Sequence, residues 1–433
     1  MQSCISKQKE LNLNDILNYY IQSENENKRI GIEYEKISLN AFDFKQAAFK
    51  NLFEIIKDFS KINGWELVFD NETITGAKNS EGTSISLEPG GQFEISLAPK
   101  ENLYGIHFAM QNYLSQIDRL GQKYGVKFFA IGNQPKVTYD KTEILNKRRY
   151  KLMAEYLPKF GKMAPVMMRE TAGVQINLDY KNSTDARRKM KAALFLSPFL
   201  TGFFANSPFR NNKLTKYKSI RALAWKYTGS NRCNLFYKGI IDSNYYNLYE
   251  EYINYILNVP MIFIVRNNEY IKINGKINFK EFMEKGYMGL YPTLGDYITH
   301  QSLCFPDVRL KNCIEIRNHD SQSLDVAIGI AAIYKGILYN DNALDEILDY
   351  FAPLNSDDLE DYGFLALKFG INFKVDKLHI NAYEAVKKIL YLAQYNLDFD
   401  EQKYLDFLID LAFSKRCIAD LILSGVTEQN LKS

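Results

Sequence analysis

Histidine and cysteine are scarce in this chain, four and five among 433 residues. The histidines are too few and scattered for a zinc site, and His107 and His379 read as structural residues. Cys4, Cys233, Cys304, Cys313 and Cys417 form no CxxC pair and no metal-ligand spacing. Such a sparse, odd set fits free thiols packed as small hydrophobes in a reducing compartment, with a regulatory disulfide as the alternative. The patterns GxxxxGKS/T, GxGxxG and GxSxG are all missing, which argues against a P-loop, a Rossmann cradle and a hydrolase elbow. No apolar run approaches the roughly 20 residues of a membrane-spanning helix. The first stretch, MQSCISKQKELNLND, has no apolar core of a secretory signal. A soluble, cytoplasmic protein is the expectation.

What is present is an ordinary globular balance, 46% hydrophobic and 24% charged, with a net charge of +3. That charge is too small to point to nucleic acid or a membrane surface. Tyrosine and phenylalanine are abundant (30 and 28) but follow no single stripe. No Pro-, Gly- or Ser-rich linker divides the chain, so one catalytic domain over 1–340 with a packed helical region over 341–433 is expected. Helical periodicity marks residues 11–22 and 45–62, the latter followed by Gly64 where a C-cap belongs. A longer helix starts near Thr184, with Pro198 as its expected kink or terminator. Beyond about residue 322 nearly everything reads helical. Strands and helices mix without βαβ alternation, which predicts an α+β fold around a mainly antiparallel sheet.

The chemistry lies in the strands, where residues two apart share a face. In the first, Ile30, Ile32 and Tyr34 point one way and Glu33 and Glu35 the other. Around the turn Pro89-Gly90-Gly91, Ile85, Leu87, Phe93, Ile95 and Leu97 alternate with Ser84, Ser86, Glu88, Gln92, Glu94 and Ser96. Val174, Ile176 and Leu178 alternate with Gln175, Asn177 and Asp179; Ile314 and Ile316 alternate with Glu315, Arg317 and His319. A solvated sheet face is one reading of this pattern. The polar set, however, holds carboxylates and amides, one Arg and no Lys. Convergent glutamates repel one another unless a cation compensates. Mg²⁺ suits hard oxygen ligands and bridges carboxylates to phosphates, so a metal–nucleotide site is the other reading. Alternation alone leaves both open.

A longer-range order adds to this. RIGIEYEK (29–36), LEPGGQFEIS (87–96), APKENLY (98–104), KRRYKLMAEYLPKFG (147–161), MMRETAGVQINLDY (167–180) and FANSPF (204–209) succeed one another. RALAW with Arg221 and Trp225, then Arg232, NVPMIFIVR (258–266) and PTLGDYITHQSLCFPDVRLKNCIEIRNHD (292–320) complete the series. No single stretch is specific. In this order they resemble the plant and proteobacterial type of the glutamate–cysteine ligase family, within the glutamine-synthetase-like carboxylate–amine ligases.

The resemblance implies roles. Glu33, Glu35, Glu88, Glu94 and Glu315 would hold the magnesium ions that clamp ATP, with Gln175 and Asn177 as polar contacts. Arg317 would neutralise the transferring phosphoryl group, and Arg221, Trp225 and Arg232 would serve the substrate side. The implied reaction phosphorylates the γ-carboxylate of L-glutamate with ATP, then joins it to the amine of L-cysteine, the first step of glutathione biosynthesis. A monomer or homodimer would act on small molecules, without nucleic acid or membrane. The alternatives are a γ-glutamyl ligase for another amine or thiol pathway (ergothioneine type), a silent homologue with a binding or regulatory role, and a phosphagen-type kinase. Two stretches depart from the family's pattern: 226–231 carries no acid, and Asn318-His319 stand where Gly-Ala is usual. Both bear on acceptor identity.

Overall fold

The structure is a computed structural model and describes residues 11–229, 231–233, 237–242 and 247–425. Cys4 and the first ten residues, read above for a signal, lie outside it, as does Ser230.

The antiparallel expectation holds. Nine strands form one sheet: β1 (Ile30–Asn40), β2 (Glu66–Asp70), β3 (Thr73–Lys78), β4 (Ser84–Leu87), β5 (Phe93–Lys100), β6 (Val126–Phe129), β7 (Gly173–Leu178), β8 (Val308–Leu310) and β9 (Ile314–Asp320). Their order is β8-β9-β7-β1-β5-β4-β3-β2, and every strand pair in it is antiparallel. β1 is the spine: it pairs with β5 and β7 over its first half, and with β6 at Ile37–Asn40. The residues expected on the apolar face, from Ile30 and Ile32 to Val174, Ile176, Ile314 and Ile316, are all buried. The helix Leu324–Leu338, apolar on nearly every side, packs against β1 and β7 beneath that face. The helix Ala382–Tyr395 packs against Leu324–Leu338 in turn.

Local signals hold at several ends. The helix Phe49–Asn63 stops at Gly64, whose φ of 66° is the left-handed cap that glycine adopts freely. The helix Ser183–Phe203 starts on Asn182, whose side chain accepts from the Asp185 amide. Pro198 neither ends nor terminates it; the helix continues to Phe203. A mid-helix proline costs about 3 kcal/mol. Here residues 192–203 are buried throughout against the sheet and the helix Ser356–Phe369, and that packing outweighs the lost bond.

The alternation fails at one point. The β7–β9 register shifts between Ile316 and His319, a bulge at Arg317-Asn318. Beyond a bulge the two-residue phase inverts. His319, expected beside Glu315 and Arg317, therefore turns into the core. There its Nε2 lies 3.1 Å from the Tyr334 hydroxyl and its ring packs on Phe204.

Candidate active site

Above the polar face lies a cavity of ≈290 Å³ whose walls include Glu33, Glu35, Glu88, Glu94, Gln175, Trp225 and Arg317. Strand pairing puts the carboxylates there: Glu35 stands opposite Glu94 across β1 and β5, and Glu33 opposite Gln175 across β1 and β7. Glu88 follows β4 at the turn, where the Glu88 carbonyl accepts from the Gly91 amide and Gly91 takes a φ of 77°. Glu33 also borders a second, open cavity of ≈590 Å³, lined by Asn25, Arg29, Asn177, Lys311 and Cys313 among others.

Each acid is held. The Gly173 amide donates to Glu35 Oε2 at 2.6 Å and Gln175 Nε2 to Oε1 at 3.2 Å. Asn177 Nδ2 donates to Glu33 at 2.9 Å, the Tyr150 hydroxyl to Glu88 at 3.1 Å, and the Ser96 hydroxyl to Glu94 at 2.9 Å. Burial pushes the Glu35 carboxyl up to about 7, with Arg221 opposing and Glu88 adding repulsion. Burial, then the charges of Glu88, Glu33 and Glu35, hold Glu94 well above the usual carboxylate range. Ionising these two carboxyls is therefore costly, and a bound cation would offset that cost.

Glu315 and Arg232 take places other than those expected. Glu315 is fully buried and is gripped by three cations: Arg309 at 2.5 and 3.0 Å, Lys311 at 2.6 Å and Arg317 at 3.1 Å. Burial alone would raise its pKa, but Arg309, Lys311 and Arg317 together hold it well below the ordinary value. Both of its oxygens are engaged by these three cations. Arg232, expected at the substrate, is buried away from both cavities. It donates to the carbonyls of Leu303 and Pro260, and its guanidinium lies over the Tyr156 ring. For Glu315 the placement follows from charge, since a buried carboxylate keeps the cations that compensate it.

The other expected residues do converge. Arg317 bonds Gln175 Oε1 and lies 5.5 Å from the Trp225 ring centre. Arg221 packs its guanidinium on Gly173 and donates to the Arg317 carbonyl at 2.8 Å. Lys147, Arg149, Tyr150 and Arg309 also line the smaller cavity, and sequence reasoning did not single them out. For Arg309 a signal existed: it faces Glu315 across the short β8–β9 hairpin.

Residues 29–406 match the family described as Glutamate-cysteine ligase family 2. A chloroplastic glutamate–cysteine ligase B of Oryza sativa subsp. japonica is 34% identical over 351 residues, 80% of this chain and 70% of that protein. The chloroplastic enzyme of Nicotiana tabacum is 35% identical over 335 residues, 77% of this chain and 63% of that one. The chain belongs to the glutamate–cysteine ligase family. Its fold is also that of a crystal structure of a Francisella tularensis glutamate–cysteine ligase in complex with AMP. That likeness has a TM-score of 0.58 at 11% identity and covers 94% of this chain and 87% of that one. The same comparisons go against the expected cytoplasmic location: the relatives from Oryza sativa, Nicotiana tabacum and Arabidopsis thaliana are all named chloroplastic. No helix among the described residues is long and apolar enough to cross a membrane. Cys233, Cys304, Cys313 and Cys417 are free thiols.

Proposed function

We infer that this chain is a glutamate–cysteine ligase, forming γ-glutamylcysteine with ATP as the energy source. Family membership carries the reading, and the acidic, cation-edged cavity agrees with it. The helices Asp341–Phe351, Ser356–Phe369 and Ala382–Tyr395 pack on Ser183–Phe203, which supports reading 341–433 as part of the same catalytic body.

Magnesium fits the donor set. Among the described residues no three or more of His, Cys, Asp and Glu gather closely enough to enclose an ion by themselves. Mg²⁺ seldom asks for that: it takes one or two carboxylates and completes its shell with water and substrate phosphate. Glu33, Glu35, Glu88 and Glu94 would hold it. When bound, it would neutralise phosphate oxygens and relieve the crowding of carboxyl groups around it.

The larger cavity has the volume of a nucleoside site, with Asn177 on its wall, and Glu33 joins it to the smaller one. Arg317 would neutralise the charge that develops on a phosphoryl group in transfer from ATP to the γ-carboxylate of glutamate, with Glu315 holding its guanidinium. Gln175 holds Arg317 and Glu35 at once, through its two amide atoms. Trp225 lines the smaller cavity and Arg221 stands behind it, donating to the Arg317 carbonyl; both would serve the glutamate end. Cysteine's amine then attacks the acyl carbon and phosphate leaves.

The test is ADP release from purified protein given ATP, Mg²⁺, glutamate and a panel of amines, with product masses measured. Cysteine should stimulate release well above every other amine and yield γ-glutamylcysteine. A phosphorylated product without an amide, or a different preferred amine, would displace this reading.

A further inference from the structure

Across Trp225 from the main cavity lies a recess of ≈40 Å³, walled by the helices Ser183–Phe203, Ile220–Lys226 and Ser356–Phe369. At about 10–15 Å³ per water, it has room for about three waters or for the head of one amino acid. Three buried atoms among its lining residues lack a hydrogen-bond partner among the described residues: Arg221 Nη1, Trp225 Nε1 and Asn318 Oδ1. Arg221 is 2% exposed and Asn318 5%. Buried polar atoms are nearly always paired, so these three ask for polar partners in the recess, which a small zwitterion of that size would supply as water does.

Their chemistry is complementary. Two are N–H donors and one is an amide carbonyl. The orientation of the Asn318 amide is fixed, because its nitrogen donates to the Ser197 carbonyl at 3.1 Å and to Thr201 Oγ1 at 2.9 Å. Lys226 lines the recess beside the donors, and the carboxylates of Asp307 and Glu360 line it too. A carboxylate suits Arg221, Trp225 and Lys226; an ammonium suits Asn318 and the two acids. An α-amino acid carries both groups on one carbon.

We propose that Asn318 holds the α-ammonium of the donor glutamate and thereby prevents the activated γ-carboxyl from cyclising. The proposal rests on the reading that γ-glutamyl phosphate forms. In that intermediate the α-nitrogen reaches its own acyl carbon. The ammonium first gives up a proton; its lone pair then forms the C–N bond, the C–O bond to phosphate breaks, and phosphate leaves with the electron pair. The nitrogen loses a second proton, and the product is the five-membered lactam 5-oxoproline. An ammonium held at Asn318 Oδ1 has no lone pair to offer, and anchoring it across Trp225 keeps the donor extended. The amine of the acceptor is then the only nucleophile in reach.

The test compares wild type, Asn318→Ala and Asn318→Asp, with ATP, Mg²⁺ and glutamate, with and without cysteine. 5-Oxoproline and γ-glutamylcysteine are quantified together, and thermal melting verifies folding. Losing one hydrogen bond to a charged group should raise the 5-oxoproline fraction about tenfold in Asn318→Ala. Asn318→Asp keeps an acceptor oxygen but loses the amide donors to Ser197 and Thr201, so its 5-oxoproline fraction should stay well below that of Asn318→Ala. An unchanged fraction in a folded Asn318→Ala protein overturns the proposal. Should that variant not fold, calorimetry on the wild type decides instead: glutarate, which lacks the ammonium, should bind at least about tenfold more weakly than glutamate. Equal affinities overturn the proposal. A wild type that binds glutamate over glutarate yet releases no ADP would instead refute the phosphorylation step itself.

Discussion

Arg309 and Glu315 face each other across the β8–β9 hairpin and pair through two parallel bonds, Nε to Oε2 at 2.5 Å and Nη2 to Oε1 at 3.0 Å. Arg309 also donates to the carbonyls of Ser302 and Cys304, tying the loop that walls the cavity to the sheet. Glu315 in turn steadies Lys311 at the larger cavity and Arg317 at the smaller one. One buried ion pair therefore positions a cation in each.

Arg309→Leu removes the bidentate partner of a buried carboxylate that keeps Lys311 and Arg317, a loss of about 1.5–3 kcal/mol. Urea unfolding should report it, with ADP release falling further than stability accounts for, because Arg317 loses its orientation. Arg309→Lys should rescue little, since an ammonium cannot reproduce the planar fork. A Lys variant with wild-type turnover would show that the pair does not position Arg317.

Gly173→Ala tests the contact between β7 and Arg221. A Cβ there would sit 2.4 Å from Arg221 Nη2 and 2.6 Å from its Cζ, far inside contact distance. The guanidinium must move, while the Gly173 amide can still cap Glu35. A rise of about tenfold or more in KM for glutamate is expected, with KM for ATP changed far less. Parallel rises in both would place Arg221 elsewhere in the mechanism.

Glu94→Gln separates function from stability. Glu94 is crowded by Glu88, Glu33 and Glu35, so neutralising it should raise the melting temperature of metal-free protein. The same variant should need more Mg²⁺ for half-maximal ADP release. Melting curves with and without Mg²⁺ check both halves. Destabilisation without metal would remove the argument for stored repulsion.

Two buried histidines set an acid-side slope. Burial, with Arg221 near His319 and Arg232 near His300, pulls each down to about 3. An unfolded histidine titrates near 6.5, so between these values the unfolded chain binds protons that the folded chain refuses. Stability is therefore complete above about 6.5 and falls as pH drops, by up to about 1.4 kcal/mol per pH unit for each histidine. Denaturant unfolding at pH 7.5 and 5.5 should show this, and His319→Gln should flatten the slope by about one proton. An unaltered slope in that variant would mean His319 is protonated in the fold.

Much of the site was legible because β-strand geometry is local. Two-residue alternation in four separate stretches put Glu33, Glu35, Glu88, Glu94 and Gln175 on one face, and the sheet places them together. Gly64 announced its helix end for the same reason: a left-handed cap is a property of one residue. Pro198 does not terminate its helix, because the burial of residues 192–203 is a tertiary effect that propensity does not contain.

The sequence by itself determined the antiparallel α+β sheet, its acidic face and the ligase family. Only the tertiary structure decided how the charges are shared. The bulge at Arg317-Asn318 inverts the phase of β9, sending His319 into the core and leaving the Asn318 side chain in a recess against Ser183–Phe203. A bulge depends on how strand and helix fit across the sheet edge, which no local pattern encodes. Glu315 likewise carries the same alternation as the other glutamates. Its role as the anchor of three cations follows from Arg309, Lys311 and Arg317 closing around it in space, where Coulomb attraction acts through distance and not through sequence.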